Sequence, residues 1–269
     1  MQSHQISICS WSLRPRTPEM LVSDLQRCGI AKVQLALVPL IESESWANCM
    51  HVLRDAGVAI VSGMFEPMGE DYTTLDMIAK TGGVRQDATW PETVARSIAS
   101  ANIASELGLS LVTFHAGFLP HDASQERTKM LDRLVQIADI FASNKIKVAF
   151  ETGQENASTL LSVLEELSHP NIGVNFDPAN MILYGQGDPV SAIKLLERWV
   201  CQVHIKDAIA TEVPGTWGTE VVVGTGDVDW NEFIPAIPYG VNLVIEREAG
   251  DNRVEDIQSA ITLLKEQGC

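Results

Sequence analysis

Short apolar runs alternate with longer amphipathic stretches along the whole chain. The short runs are rich in β-branched and bulky apolar residues and contain no proline, which is typical of buried β-strands. In the longer stretches, apolar residues recur at the three- and four-residue spacing of a helix face. The pattern predicts eight strands, which fall within residues 6–11, 32–37, 58–65, 111–117, 148–151, 174–177, 202–206 and 243–246.

Local start and stop signals predict helices between these strands. The Thr-Pro-Glu sequence at 17–19 is typical of a helix start, and Gly29 of a helix end. The irregular segments 66–89 and 217–229 are predicted to be long loops, the first with a short helix near 75–79. The remaining helices are predicted at 44–56, 90–107, 124–144, 156–167, 188–197, 231–237 and 253–266.

The order of these elements predicts the fold class. Eight strands alternating with helices indicate a parallel sheet, and eight such units indicate closure into a (β/α)₈ TIM barrel. A barrel of this kind needs about 250 residues. We therefore expect residues 1–269 to form a single domain. A doubly wound open sheet is the structural alternative, but no GxGxxG motif follows the first strand to support it.

The last four predicted strands each carry an ionisable residue at or near the C-terminal end: Glu151, Asp177, His204 and Glu246. Because side chains alternate along a strand, the polar residues of each strand share one face, which we expect to line the barrel interior. The four donors would converge at the C-terminal rim, where barrel active sites lie. Such an oxygen-rich set predicts one divalent metal ion, with Mn²⁺ as the best fit and Mg²⁺, Co²⁺ or Zn²⁺ as alternatives.

Composition narrows the classes of partner. The chain has 35 acidic and 19 basic residues and a formal net charge of −16, which disfavours nucleic acid and anionic membranes. No apolar run reaches the ~18 residues of a membrane span, and no signal peptide precedes the first strand. The five cysteines form no CxxC pair, which favours reduced thiols in a cytoplasmic protein.

Several runs resemble a known family. They are Thr-Phe-His-Ala-Gly at 113–117, Phe-Glu-Thr-Gly-Gln-Glu at 150–155, Phe-Asp-Pro-Ala-Asn at 176–180, Val-His-Ile-Lys-Asp at 203–207 and Ile-Glu-Arg-Glu at 245–248. With these runs the chain resembles the xylose isomerase-like TIM barrels, in particular the sugar phosphate isomerase/epimerase family. Its relatives include ketose 3-epimerases, hydroxypyruvate isomerases and inosose dehydratases.

The resemblance implies a function. Glu151, Asp177, His204 and Glu246 correspond to the metal ligands of the epimerases, in which the two glutamates also act as the acid/base pair. It implies a divalent-metal-dependent isomerase or epimerase that acts on a carbohydrate or sugar derivative through a metal-bound enediolate. A metal-dependent dehydratase or other lyase, acting on an inosose or keto-sugar, starts from the same enediolate and remains the alternative.

Departures from the relatives lie at positions that contact substrate. Asn180 stands where ketose 3-epimerases and hydroxypyruvate isomerases carry histidine, and Ala210 stands where the epimerases carry arginine. Ala157 replaces an expected glutamate, although Glu155 is close by. Lys206 either replaces the missing cation, as a substrate contact or catalytic acid, or only pairs with a neighbouring carboxylate. The predicted substrate contacts are Trp11, His115, Glu155, Asn180 and Lys206.

Two other classes of protein remain in view. An endonuclease IV-type repair enzyme needs a histidine-rich three-metal cluster and a basic surface, and six histidines with a net charge of −16 argue against it. A non-catalytic sugar-binding barrel would not need two glutamates among four metal ligands. A homo-oligomer is compatible with the sequence, which does not fix the oligomeric state.

Overall fold

The computed structural model describes residues 4–269, and eight parallel strands in this range close into a barrel. Around the ring the strands follow the order β1-β10-β7-β6-β5-β4-β3-β2. The predicted (β/α)₈ fold is therefore confirmed. The barrel strands are β1 (Gln5–Cys9), β2 (Lys32–Ala36), β3 (Ala59–Met64), β4 (Leu111–Phe114), β5 (Lys147–Glu151), β6 (Ile172–Phe176), β7 (Val200–Ile205) and β10 (Asn242–Ile245).

Helices surround the barrel. Several of them begin at side-chain caps, as at Thr17, Ser124 and Asn156, whose side chains accept hydrogen bonds from backbone N–H groups of the first turn. No helix in the described range is long and apolar enough to cross a membrane. The helices are α1 (Pro18–Cys28), α2 (Val38–Glu42), α3 (Cys49–Asp55), α4 (Leu75–Thr81), α5 (Trp90–Glu106), α6 (Gln125–Ala142), α7 (Ala157–Leu167), α8 (Pro178–Leu183), α9 (Pro189–Leu196), α10 (Trp230–Ala236) and α11 (Arg253–Glu266).

The structure differs from the predicted elements in several places, among them helix α2, which was not predicted. The predicted helix 44–56 is a 3₁₀ turn, Glu44–Trp46, followed by α3, because Asn48 between them has non-helical dihedrals. Helix α8 was not predicted, since five of its six residues are buried and no amphipathic period shows. Between β7 and α10, an antiparallel pair of short strands, β8 (Asp207–Ile209) and β9 (Thr219–Val221), adds a hairpin to the rim.

Because side chains alternate along each strand, the sheet has two buried faces, one toward the helices and one toward the barrel interior. Outward-facing residues of β5 to β7, such as Phe150, Phe176 and Val203, are fully buried between the sheet and the helices. Inward-facing residues near the C-terminal ends are polar and equally buried, among them Asn175 and His204. The predicted assignment of polar residues to the barrel interior therefore fits the structure, and it brings the ionisable strand ends together at one rim.

Candidate metal centre and active site

Glu151, Asp177, His204 and Glu246 form a buried cluster at the C-terminal rim. One ligand atom from each residue lies within 4.8 Å of the other three. The imidazole Nδ1 of His204 is 3.6 Å from Glu151 Oε1, 3.7 Å from Asp177 Oδ2 and 3.3 Å from Glu246 Oε2. Strands β5, β6, β7 and β10 are neighbours in the ring, so the four side chains form an arc with the glutamates at its ends.

The donor set fits a divalent cation. Asp177 Oδ1 accepts the backbone N–H of Asn180 at 2.9 Å and caps α8, whereas its Oδ2 is buried without a hydrogen-bond partner. An unpartnered buried carboxylate oxygen is costly, and a cation held by all four side chains would remove that cost. Three carboxylates and one imidazole are the ligands that Mn²⁺ and similar ions take, with space left for substrate oxygens.

A layer of buried polar side chains lies directly beneath the cluster and orients it. His204 Nε2 is 2.9 Å from Gln34 Oε1, and Gln34 in turn donates to Thr113 Oγ1 at 2.8 Å. The contact with the Gln34 oxygen places a proton on Nε2, so Nδ1, which faces the carboxylates, is the nitrogen that a bound metal ion would use. On the other side, Asn175 Nδ2 donates to Glu151 Oε2 at 3.1 Å.

The same layer continues across the barrel. Gln202 Nε2 donates to Asn175 Oδ1 at 3.1 Å, and Ser62 Oγ donates to Gln202 Oε1 at 2.7 Å. Each of these groups therefore fixes the orientation of the next. The five residues, all fully buried, are named the amide layer below: Gln34, Ser62, Thr113, Asn175 and Gln202.

Lys206 lies beside the cluster among carboxylates. Its Nζ is 2.9 Å from Glu246 Oε2, 2.7 Å from Glu248 Oε2 and 3.3 Å from Asn180 Oδ1. Burial by itself would lower the pKa of Lys206, but Glu246, Glu248 and Asp177 outweigh it and hold the pKa well above its usual value. Lys206 is therefore an ammonium group near neutral pH, able to donate hydrogen bonds but not to accept a proton.

Both glutamates are held in the ionised form. Burial would raise the pKa of Glu246, but Lys206 and His204 outweigh it and keep the pKa well below its usual value. Burial would likewise raise the pKa of Glu151, which His115 and His204 bring below its usual value. Two carboxylates able to accept protons thus stand at the two ends of the arc.

Four of the five predicted substrate contacts surround the cluster and line one cavity. Trp11 Nε1 donates to Glu246 Oε1 at 2.6 Å, Asn180 Nδ2 donates to Glu151 Oε1 at 2.8 Å, and His115 Nε2 is 3.6 Å from the same Glu151 oxygen. With Lys206, these residues border a cavity of about 870 Å³ above the barrel rim.

Glu155 lies elsewhere. Its carboxyl group is buried outside that cavity, where burial raises its pKa to about 8 and the backbone of Leu119 opposes the rise. The structure therefore does not bring the fifth predicted contact to the cavity.

The family follows from a comparison with known proteins. A model described as xylose isomerase-like TIM barrel matches residues 25–267. The chain belongs to this family. A solved relative, a xylose isomerase domain protein from Planctomyces limnophilus, superposes with a TM-score of 0.87 at 28% identity, over 98% of this chain and 96% of that one.

Two further solved structures with a similar fold have different named activities. The probable 3-DHS dehydratase AsbF from Bacillus anthracis superposes with a TM-score of 0.75 at 20% identity, over 97% of this chain and 98% of that one. An L-ribulose 3-epimerase superposes with a TM-score of 0.74 at 14% identity, over 98% and 95%. At these identities the two structures support the fold alone.

Sequence similarity to one named enzyme is local. A 3-dehydroshikimate dehydratase from Bacillus anthracis is 33% identical over 89 residues, which are 32% of this chain and 31% of the dehydratase. The chain thus matches about a third of the length of that relative.

Several cavity residues were missed by reasoning from the sequence. Glu248 follows Glu246 by two positions and so shares its face, a signal that strand alternation contains. Glu70 and Tyr72 come from the segment between β3 and α4, which has no periodic pattern to indicate its direction. Tyr184, at the end of α8, was also missed; it lines the cavity, and its ring centroid lies 4.9 Å from that of Trp217, a loop residue for which the sequence allows a lid role.

Proposed function

We propose that the protein is a divalent-metal-dependent isomerase or epimerase of a sugar or sugar derivative, with Glu151 and Glu246 as its acid/base pair. The observation that carries the proposal is the buried arc of Glu151, Asp177, His204 and Glu246 bordering the cavity. Mn²⁺ is the preferred occupant of the four-residue site, with Mg²⁺, Co²⁺ or Zn²⁺ as alternatives. When bound there, the ion would stabilise the negative charge that develops when a proton leaves the carbon next to a carbonyl.

The two glutamates are held in fixed positions for proton transfer. Asn180 and Asn175 each donate to one oxygen of Glu151, while Trp11 and Lys206 each donate to one oxygen of Glu246. Because both carboxylates are ionised, either can remove a proton and then return it. Removal by one and return by the other gives epimerisation; one glutamate acting twice gives aldose–ketose isomerisation.

Lys206, Asn180, His115 and Trp11 bind and orient the substrate in this proposal. The Lys206 ammonium would donate to a substrate oxygen next to the reacting carbon, where negative charge develops. Its partners Glu246 and Glu248 determine where the ammonium group lies. The five cysteines of the described chain are free thiols, which supports a reducing compartment and hence the cytoplasm.

A dehydratase is the second candidate. Its support is the local sequence similarity to the Bacillus anthracis dehydratase together with the protonated state of Lys206. The Lys206 ammonium group could give its proton to a departing hydroxyl, the step that separates elimination of water from epimerisation.

The test is deuterium exchange followed by NMR. The metal-loaded protein is incubated in D₂O with a panel of ketoses, aldoses, inososes and 3-keto-sugars. We expect exchange at the carbon next to the carbonyl, and an epimer or isomer as product. In Glu151→Gln and Glu246→Gln, one variant should lose exchange, and the other should retain some exchange but form little product, because glutamine cannot accept the proton.

Two controls make the result decisive. Metal content of each variant is measured by elemental analysis, and Glu165→Gln on the exposed part of α7 serves as the matched substitution. If both active-site variants hold metal and turn over normally, the two-carboxylate mechanism is wrong, and His115 becomes the leading base. Loss of water, seen as a new vinyl proton, would favour the dehydratase instead.

A further inference from the structure

The barrel rim has two chemically different halves. The four strands that carry the metal-ligand cluster are consecutive in the ring, so the remaining strands, β1 to β4, face them. In an eight-membered ring, β2 lies opposite β6 and β3 lies opposite β7. The segments that follow β2 and β3 therefore form the cavity wall across from Asp177 and His204.

Part of that opposite wall is apolar. Val38 and Pro39 come from the start of α2, and Met64, Pro67 and Met68 come from the end of β3 and the segment after it. These five residues are named the apolar wall. Four of them are only half-buried, so a ligand that covered them would remove further apolar surface from water. Their side chains offer no strong hydrogen bond to a sugar hydroxyl, which would lose its water there without compensation.

The charged residues near this wall do not provide a site for an anionic group. Arg96 pairs with Glu42 and donates to the carbonyl of Glu66 at 3.1 Å, so its guanidinium is already engaged. Glu66 and Glu70 line the same part of the cavity and would repel a phosphate or carboxylate. A neutral group therefore fits the apolar wall best.

The cavity is also larger than one sugar ring requires. Its volume of about 870 Å³ lies near the upper end of the roughly 300–1,000 Å³ found for pockets that hold drug-sized ligands. A ligand whose sugar lies against the polar half would leave the apolar wall exposed to water unless it carried a further group.

We propose that the substrate is a keto-sugar derivative whose ring ketone supplies the reacting carbonyl and which carries a neutral apolar substituent, such as an aryl or alkyl group in glycosidic linkage, that packs against the apolar wall. The sugar end lies over Glu151, Asp177, His204 and Glu246. Only the assignment of the sugar end rests on the function proposed above.

The test compares matched probes by calorimetry on the metal-loaded, full-length protein. Methyl and phenyl β-glycosides of D-glucose, D-galactose and D-xylose form three pairs that differ only in the substituent. We expect the phenyl member to bind about tenfold more tightly in at least one pair, since burial of its ring against the apolar wall adds hydrophobic stabilisation.

Substitution of Met68 locates the effect. Met68→Gln should lower the phenyl/methyl affinity ratio from about tenfold to about twofold, because an amide replaces apolar surface of similar length. Met68→Leu should keep the ratio. Met50→Gln, at an exposed position on α3, is the matched control and should give the wild-type ratio.

The proposal is overturned if no pair shows tighter phenyl binding, or if Met68→Gln and Met50→Gln give the same ratio. These outcomes are distinct from a failure of the proposed reaction. A phenyl preference without any proton exchange on the keto-sugar panel would refute the isomerase and keep the substituent site. Proton exchange without a phenyl preference would refute the substituent site and keep the isomerase.

Discussion

Glu155 shows how strongly burial changes a single side chain. Only 8% of the residue is exposed, and its pKa rises to about 8 from an ordinary 4.5 because burial penalises the charged form. Glu151, in the four-residue cluster, is also buried but has His115 and His204 beside it, and its pKa falls instead. Two glutamates four positions apart thus differ in charge near neutral pH.

This difference predicts a pH-dependent stability. The unfolded chain releases the Glu155 proton near pH 4.5, whereas the folded chain keeps it to about pH 8. The folded state therefore binds more protons in this window, so the contribution of Glu155 to stability decreases from about pH 4.5 to 8 and is level above it. Glu155→Gln, which cannot ionise, should be more stable than the wild type at pH 9 by about 3–5 kcal/mol.

Urea unfolding of both proteins between pH 5 and pH 9 measures this difference. A difference in the free energy of unfolding between the two proteins that does not change with pH would show that Glu155 ionises normally in the folded protein. Glu165→Gln, more than half exposed on α7, should show no such trend and is the control.

At the scale of elements, the hairpin β8–β9 depends on one carboxylate. Asp207 is fully buried, and it accepts the backbone N–H groups of Ala208, Gly224, Gly226 and Val228 and the indole N–H of Trp230. It therefore joins the end of β7 to the start of α10.

The hairpin in turn supports the cavity. Glu220 on β9 accepts hydrogen bonds from Arg247 Nη1 at 2.8 Å and from the backbone N–H groups of Glu248 and Ala249 at 2.9 and 3.1 Å. Glu248 is the residue whose carboxylate contacts Lys206. Order in the hairpin thus sets the position of Lys206 through two intermediate contacts.

We expect Asp207→Ala to destabilise the protein by about 3 kcal/mol or more, because it leaves several buried N–H donors without an acceptor. Hydrogen–deuterium exchange should accelerate most in residues 207–230. Asp227→Ala is the matched control, since its carboxylate is exposed and accepts a hydrogen bond from Ala210 N at 2.8 Å. Equal exchange rates in the two variants would show that Asp207 does not anchor the hairpin.

Elements with a strong local signal were predictable from the sequence. The eight strands have apolar runs, and helices such as α1 have a capping threonine and a terminal glycine. Helix α8 and the hairpin lack such signals, because α8 is buried nearly all round and the hairpin strands have three residues each. Their positions depend on tertiary contacts, including the hydrogen bonds to Asp207.

In the candidate site, too, residues with a local sequence signal were predictable and residues that depend on tertiary contacts were not. The clustering of Glu151, Asp177, His204 and Glu246 could be predicted, since each lies at or near a strand end and parallel strands place those ends at one rim. The amide layer could not, because Gln34 and Ser62 belong to strands far from β6 and β7 in sequence. Only closure of the barrel brings them beneath His204.

At the scale of the whole molecule, metal binding is expected to change stability. The four side chains of the cluster come from half of the barrel ring, so an ion held there would link four consecutive strands. A ligand at a hundred times its dissociation constant stabilises the folded state by about 2.7 kcal/mol. For a domain of this size that corresponds to a rise in Tm of roughly 5–10 °C.

We expect Mn²⁺ to raise the Tm of the chelator-treated protein by this amount. The rise in Tm should disappear in Asp177→Ala, which lacks the carboxylate oxygen Oδ2 that has no hydrogen-bond partner in the protein. Asp132→Ala, at an exposed position on α6, should respond to Mn²⁺ like the wild type. Full metal occupancy of Asp177→Ala by elemental analysis would contradict the assignment of Asp177 as a ligand.

The amide layer also has an evolutionary consequence. Each of its groups takes its orientation from a neighbour, so an isolated replacement leaves at least one buried donor or acceptor unmatched. Mutations within it are therefore expected to be non-additive and to be tolerated mainly in compensating pairs. Apart from the hairpin that Asp207 holds, the loops above the rim are freer to change. Divergence to new substrates would then proceed through the loops, while the support beneath the metal site is inherited as a unit.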